Sequence, residues 1–189
     1  KLGPWTLGAM YGMGNETPGQ RMRSFVAAYR SGPVWAGLGH LRDTFSAAAA
    51  GNQITLASLN WDLRAGDKLI VTLSQAQGDQ ANDRQSRSRM LQLGWQHDLT
   101  PAWMLGITGG WAQTRDPRRV SGDIRQYAVA TQYRLSKRTT LYAMGSRVQA
   151  SGSAGTAYSG VPGIGAPAAT LRSSDGAQNV VRAGLLHRF

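Results

Sequence analysis

The chain has 189 residues, of which 41% are hydrophobic and 16% are charged, and its formal net charge at pH 7 is +11. The charged fraction is below the roughly 25% of an ordinary soluble domain, and no stretch approaches the roughly 20 apolar residues of a membrane-spanning helix. Because the chain has no cysteine, disulfides and thiolate metal sites are excluded.

Ten segments alternate between apolar residues and small or polar residues. In one of them, Trp103, Leu105 and Ile107 fall on one face and Met104 and Gly106 on the other. A period of two predicts β-strands whose two faces meet different media. The segment lengths suit tilted membrane strands of about 9–11 residues. In chain order the predicted strands cover about 3–13, 21–31, 33–43, 53–63, 68–78, 88–99, 102–114, 123–135, 139–149 and 177–189.

The connections between these strands alternate in length. Short connections are expected at 31–33, 64–67, 100–101 and 136–138, and longer ones at 14–20, 44–52, 79–87, 115–122 and 150–176. The last segment is rich in Gly, Ser, Ala and Pro, and we interpret it as a surface loop because strands flank it. No proline falls in the middle of a predicted strand. Short connections on one side and long connections on the other are typical of outer-membrane β-barrels. We therefore predict an all-β, antiparallel, up-and-down transmembrane barrel.

Two segments carry more specific motifs than the alternation. The run from Tyr133 to Tyr142 contains Leu-Ser-Lys-Arg-Thr, and the terminus from Val181 to Phe189 ends in histidine, arginine and phenylalanine. Both segments resemble the proteobacterial trimeric general-porin family. The first is similar to a turn between late strands of that family, and the second is similar to its last strand, which ends in histidine, a basic residue and phenylalanine.

The resemblance implies a sixteen-stranded barrel with a water-filled lumen, assembled as a homotrimer in the outer membrane of a Gram-negative bacterium. Residues 1–189 would then be one domain, the last ten strands, and the amino-terminal strands and the constriction loop would be absent. Ten strands alone form an open sheet unless they close on themselves, and lipid does not tolerate an open edge. A self-contained ten-stranded barrel is therefore the alternative.

A water-filled barrel predicts passive diffusion of small hydrophilic solutes and ions, with a selectivity set by charges that face the lumen. Most aromatic residues of the predicted strands share one parity, which we call the aromatic stripe. We expect basic residues on the opposite parity to line the pore, because an arginine that faces lipid is costly. For Lys68 and Arg188 a position near the turns is an open alternative. The candidates, which predict a mild anion preference, are Arg30, Lys68, Arg134, Arg182 and Arg188.

The aromatic stripe predicts belts at the membrane interfaces or contacts between subunits. Leu185, His187 and Phe189 share one face of the last strand, and the terminal phenylalanine resembles the signal that barrel-assembly machinery recognises. The expected partners are therefore this machinery, outer-membrane lipid, lipopolysaccharide and two further subunits. The belt candidates are Trp61, Trp95, Trp103, Trp111, Tyr127 and Tyr133, with Trp5 and Tyr11 beside them, whereas Trp35 has the weakest assignment.

A group of arginines is expected at the loops, where solvated side chains would attract solutes, pair with loop acids or contact lipopolysaccharide phosphates. The group comprises Arg84, Arg87, Arg89, Arg115, Arg118 and Arg119.

Two other classes compete with a channel. Some outer-membrane barrels are hydrolases with a site at the loop end, and His40 with nearby Asp43 is the candidate pair for such a site. A nucleic-acid binder would need aromatic and basic residues on one exposed face, whereas here they separate onto opposite parities. We therefore expect a channel without catalysis, cofactor, metal or nucleic acid.

Overall fold

The computed structural model describes residues 3–13, 21–44, 51–80, 84–115, 121–152 and 176–188, with the backbone alone at 79–80 and 84–85. These residues form ten antiparallel strands in one sheet, in the order of the chain. Over the same residues, the structure has no helix that is long and apolar enough to cross a membrane. The strands are β1 (Trp5–Met13), β2 (Arg21–Ser31), β3 (Val34–Thr44), β4 (Gly51–Arg64), β5 (Asp67–Gln80), β6 (Arg84–Thr100), β7 (Trp103–Arg115), β8 (Ser121–Arg134), β9 (Thr139–Gly152) and β10 (Ala177–His187).

Each strand pairs with its neighbours in the chain, which is the up-and-down order predicted from the alternation. The order runs from β1 to β10 without a ladder between these two end strands in the described residues, so the sheet is open. The register slips at two places, between Asp62 and Arg64 and between Asp98 and Thr100, both beside short turns.

The short turns have the residues that their geometry requires. Gly32 and Gly66 adopt φ values of 52° and 82°, a conformation that glycine adopts without a steric penalty. Between β8 and β9 the Ser136 hydroxyl accepts hydrogen bonds from the backbone N–H groups of Arg138 and Thr139, at 3.1 and 3.0 Å. The turn within the predicted porin-like segment is therefore closed by its own serine.

The ten predicted strands are confirmed, but several extend further on the side of the long connections. β6 begins at Arg84 rather than near 88, and β9 ends at Gly152 rather than near 149. The hydrophobic alternation ends where the apolar residues end, whereas the backbone ladder continues through polar residues. The connection predicted at 79–87 therefore shrinks to 81–83. The segments 14–20, 45–50, 116–120 and 153–175 lie outside the described residues.

The sheet lacks the core of a soluble domain. Among the described residues, Val148 is the one hydrophobic side chain that is buried, at 1% exposure. Soluble domains bury an apolar face against a second layer of structure. Here large apolar side chains are instead exposed along nearly every strand, including Leu73, Leu93, Ile107 and Val129.

Candidate functional site

The register assigns every strand residue to one of two faces. Trp103 pairs with Tyr133 across β7 and β8, and the same row continues through Leu141 to Leu185. We call this the aromatic face and the opposite one the polar face. All six predicted belt residues lie on the aromatic face: Trp61, Trp95, Trp103, Trp111, Tyr127 and Tyr133. The polar face has glutamine, serine and threonine among methionine and aliphatic residues, as in the row Gln92, Gly110 and Gln126.

On β7 two tryptophans, whose levels we call the two aromatic rows, bound an apolar band on the aromatic face. Trp103 and Trp111 are eight residues apart on β7. That separation is about 26 Å along a strand and about 20 Å along the membrane normal at the usual tilt. Trp103 Nε1 donates a hydrogen bond of 2.7 Å to Thr131 Oγ1, so its polar atom is satisfied. Between the rows lies Ile107, which is 44% exposed. The band matches the apolar belt of roughly 25 Å of outer-membrane barrels.

The five predicted pore-lining residues fall on the polar parity, but at different heights. Arg30, Lys68 and Arg134 lie within two residues of a short turn, and Arg188 follows the end of β10. Arg134 Nη1 donates to the backbone oxygen of Pro101 at 3.2 Å, and Lys68 Nζ is 3.5 Å from Asp62 Oδ1. The four therefore form a group at the turn end of the sheet.

Arg182 is the one predicted pore-lining residue in the middle of a strand. Its guanidinium carbon lies 6.0 Å from the centroid of the Tyr142 ring, also on the polar face. The ring lies over Gly184, where a side chain would collide with it. The glycine therefore gives the tyrosine its position beside Arg182.

Trp35 differs from the other tryptophans. It pairs with Arg30 across β2 and β3, which places it on the polar face. A Cβ atom at Gly37 would lie 2.7 Å from its ring, so the ring covers this glycine. Sequence parity was weak here because the next two residues on the same face of β3, Gly37 and Gly39, have no side chain.

The histidine and aspartate proposed for a hydrolytic site do not meet. His40 and Asp43 are three residues apart on one strand, so they lie on opposite faces. His40 Nδ1 instead lies 2.9 Å from Thr55 Oγ1, and Asp43 Oδ1 accepts the backbone N–H of Asn52 at 2.7 Å. The pairing that would have favoured a hydrolase is therefore not formed. In the described part of the chain there is also no group of three or more His, Cys, Asp or Glu residues suited to a metal ion.

Leu185 and His187 lie on the aromatic face of β10, as predicted. His187 Nδ1 is 2.9 Å from Thr139 Oγ1, which ties the end of the last strand to β9. Phe189, the third residue of the predicted assembly signal, lies outside the described residues.

Asp67 is the buried centre of a cluster that the sequence did not reveal. It is 5% exposed, forms an ion pair with Arg64 and lies 2.6 Å from His97 Nδ1. The Arg64 hydrogen bond holds the pKa of Asp67 below its usual value, although burial raises it. His97 also stacks on Trp95, at 5.3 Å between ring centroids. The cluster lies beside the short turn between β4 and β5, and it holds this turn against β6.

The arginines expected on loops are placed differently by the structure. Arg87, Arg89 and Arg115 lie on β6 and β7, on the aromatic face, because the strands continue beyond the apolar band. The shared parity with Leu91 and Trp111 was the signal in the sequence. Arg118 and Arg119 lie outside the described residues, as does the side chain of Arg84.

Comparison with known proteins gives the family. A family model described as Gram-negative porin matches residues 1–153. The chain belongs to the Gram-negative porin family. This membership confirms the predicted resemblance and places the porin in the outer membrane. A comparison with curated proteins gave no match.

Solved structures show the same fold at low identity. An anion-selective porin from Comamonas acidovorans is 17% identical, with a TM-score of 0.77 over 100% of this chain and 57% of its own. In-vitro folded OmpT, an outer membrane protein of Vibrio cholerae, is 13% identical, with a TM-score of 0.75 over 100% and 62%. Its trimer form is 14% identical, with a TM-score of 0.74 over 97% and 61%. The porin chain thus spans about three fifths of the length of these neighbours.

Proposed function

We propose that the full-length protein forms a water-filled channel for passive diffusion of small hydrophilic solutes and ions across the outer membrane, without catalysis or a cofactor. The observation that carries this proposal is the separation of the two faces of a single sheet. One face presents an apolar band between two aromatic rows, and the other presents glutamine, hydroxyl and basic side chains. When such a sheet closes, its polar face encloses an aqueous lumen.

We infer that residues 1–189 are the last ten strands of a sixteen-stranded barrel whose constriction loop lies outside this chain. Ten of sixteen strands is about three fifths, which agrees with the share of the neighbours' length that the chain covers. Further strands would pair with the outer edges of β1 and β10, the two end strands of the described sheet, because lipid cannot satisfy the backbone groups of an open edge.

The charge on the polar face supports a mild preference for anions. Its basic candidates are the four residues at the turn end and Arg182 in the strand middle, against the carboxylates Asp43, Asp62 and Asp98 among the described residues. Asp62 lies next to Lys68 and offsets part of the charge at the turn end. Arg182 is therefore the residue we expect to contribute most within the lumen. The neighbour from Comamonas acidovorans is itself described as anion-selective.

The aromatic face suits the proposed partners. Part of it would contact two further copies in a homotrimer, and the rest would contact outer-membrane lipid and lipopolysaccharide. Leu185 and His187, with Phe189, are the residues we propose for recognition by the barrel-assembly machinery.

Conductance across a planar bilayer tests the channel. The full-length protein should give stable open steps, and in a KCl gradient the reversal potential should have the sign of an anion preference. Absence of any stable channel would refute the pore, whereas a strong cation preference would refute the selectivity alone.

A further inference from the structure

A set of arginines lies on the aromatic face, in the halves of the strands next to the long connections. We call this set the arginine belt. At the same height the described polar face has small and hydroxyl residues, such as Ser86, Ser88, Ala112 and Thr114, and no basic side chain. The belt charges are therefore directed away from the proposed lumen. The belt comprises Arg21, Arg23, Arg42, Arg87, Arg89, Arg115, Arg125 and Arg147.

Three members of the belt form a group that has no carboxylate partner among the described side chains. Arg87 and Arg115 are direct partners across β6 and β7, an arrangement of like charges that is unfavourable by itself. Arg87 Nη2 and Arg89 Nε both donate to the same Gln75 oxygen, at 2.8 and 3.2 Å. Among the described side chains, no carboxylate lies within 4.0 Å of any of the three guanidinium groups. Within the described part of the chain, most of their hydrogen-bond donors have no protein acceptor.

The three side chains surround a recess of about 130 Å³, completed by Gln113 and Ser121. Next to it on the membrane side lies an apolar groove of about 310 Å³. Leu73, Leu91 and Trp111 line this groove, and Arg89 lies at its border with the recess. Cationic and apolar surfaces thus adjoin at the edge of the band.

We propose that Arg87, Arg89 and Arg115 bind a phosphate group of a phosphorylated lipid in the outer leaflet, and that the adjacent groove binds one of its acyl chains. The proposal rests on the proposed function in one respect, that the aromatic face meets lipid. Guanidinium groups match phosphate geometry with paired hydrogen bonds, and the anion relieves the repulsion between Arg87 and Arg115. A soluble anion would leave the groove exposed, whereas a phosphorylated lipid occupies both surfaces.

The test uses the full-length protein in detergent, with lipid binding measured by native mass spectrometry. The probes are lipid A with both phosphates, the same lipid without phosphates, and inorganic phosphate alone. The variant R89Q/R115Q removes two charges from the recess. The variant K137Q/R138Q removes two charges from an exposed turn at the opposite end of the sheet and is the matched control. Heat-dependent migration in gels checks that each variant is folded.

We expect the diphosphorylated lipid to bind the wild type and the control equally, and the recess variant at least about 10-fold more weakly, the effect of losing charge-assisted hydrogen bonds. Equal weakening in the control, or none in the recess variant, would overturn the proposal. Equal binding of dephosphorylated lipid would overturn the phosphate contact, and competition by inorganic phosphate at equal concentration would overturn the role of the groove. Dissociation of oligomers of the lipid-free recess variant would assign the site to a second copy instead. Conductance recorded in parallel distinguishes a failure of the lipid-binding proposal from a failure of the proposed channel, since lipid binding needs no open channel.

Discussion

An arginine placed at Ile107 tests which face of the sheet meets lipid. Ile107 lies four residues from both Trp103 and Trp111, which is about 13 Å along the strand and about 10 Å in depth from each aromatic row. It is therefore near the middle of the band. Arginine facing lipid at the midplane costs about 2–4 kcal/mol, which lowers the ratio of folded to unfolded protein by about 30-fold to 1000-fold. Thr108, the next residue, lies on the polar face opposite Gly94 and Ala128. The control T108R should change stability much less.

The assay is reversible unfolding of the full-length protein in guanidinium chloride with lipid vesicles, followed by tryptophan fluorescence. The variant I107R should lower the midpoint without changing the slope, because the surface exposed on unfolding is nearly the same. If T108R is as destabilising as I107R, or more so, then our assignment of the two faces is wrong and so is the proposed lumen.

Three further outcomes are expected. R182S should reduce the anion preference measured from reversal potentials, whereas R147S, which removes the same charge from the aromatic face, should leave it unchanged. The pKa of Asp67 is lower in the folded protein than in the unfolded chain. Its contribution to stability is therefore present above the unfolded pKa of about 3.9 and is lost as the pH falls through the folded pKa. In D67N the unfolding midpoint should therefore depend less on pH below about pH 4, and a pH dependence equal to that of the wild type would contradict this. Brominated lipid should quench the fluorescence of Trp111, and aqueous iodide should quench that of Trp35. The variant W111F should therefore lose part of the quenching by lipid, and W35F part of the quenching by iodide; the reverse result would contradict their assignment to opposite faces.

The strands and short turns are the parts of the fold that the sequence predicts. In an isolated sheet the side-chain period is two and depends on no distant contact, so alternation located all ten strands to within about four residues. The short turns were equally local, since Gly66 and Ser136 form their turns through their own backbone and hydroxyl group.

Prediction failed where hydrophobicity and hydrogen bonding diverge. Beyond the apolar band the alternation disappears, but the ladder continues, so Arg87 and Arg115 lie on strands rather than on loops. The proposed pair of His40 and Asp43 failed for a related reason. Proximity in the sequence does not bring side chains together when an odd separation on a strand places them on opposite faces.

The sequence by itself determined the strands, their antiparallel order and the assignment of the six belt residues to one face, because each of these follows from local periodicity and short connections. Only the tertiary structure decided which residues meet across strands. The register joins Asp67 to His97, sets Arg87 opposite Arg115 and places Trp35 on the polar face. Register is the alignment of residues between two paired strands, and the sequence of one strand does not specify which residue of its partner lies opposite each position.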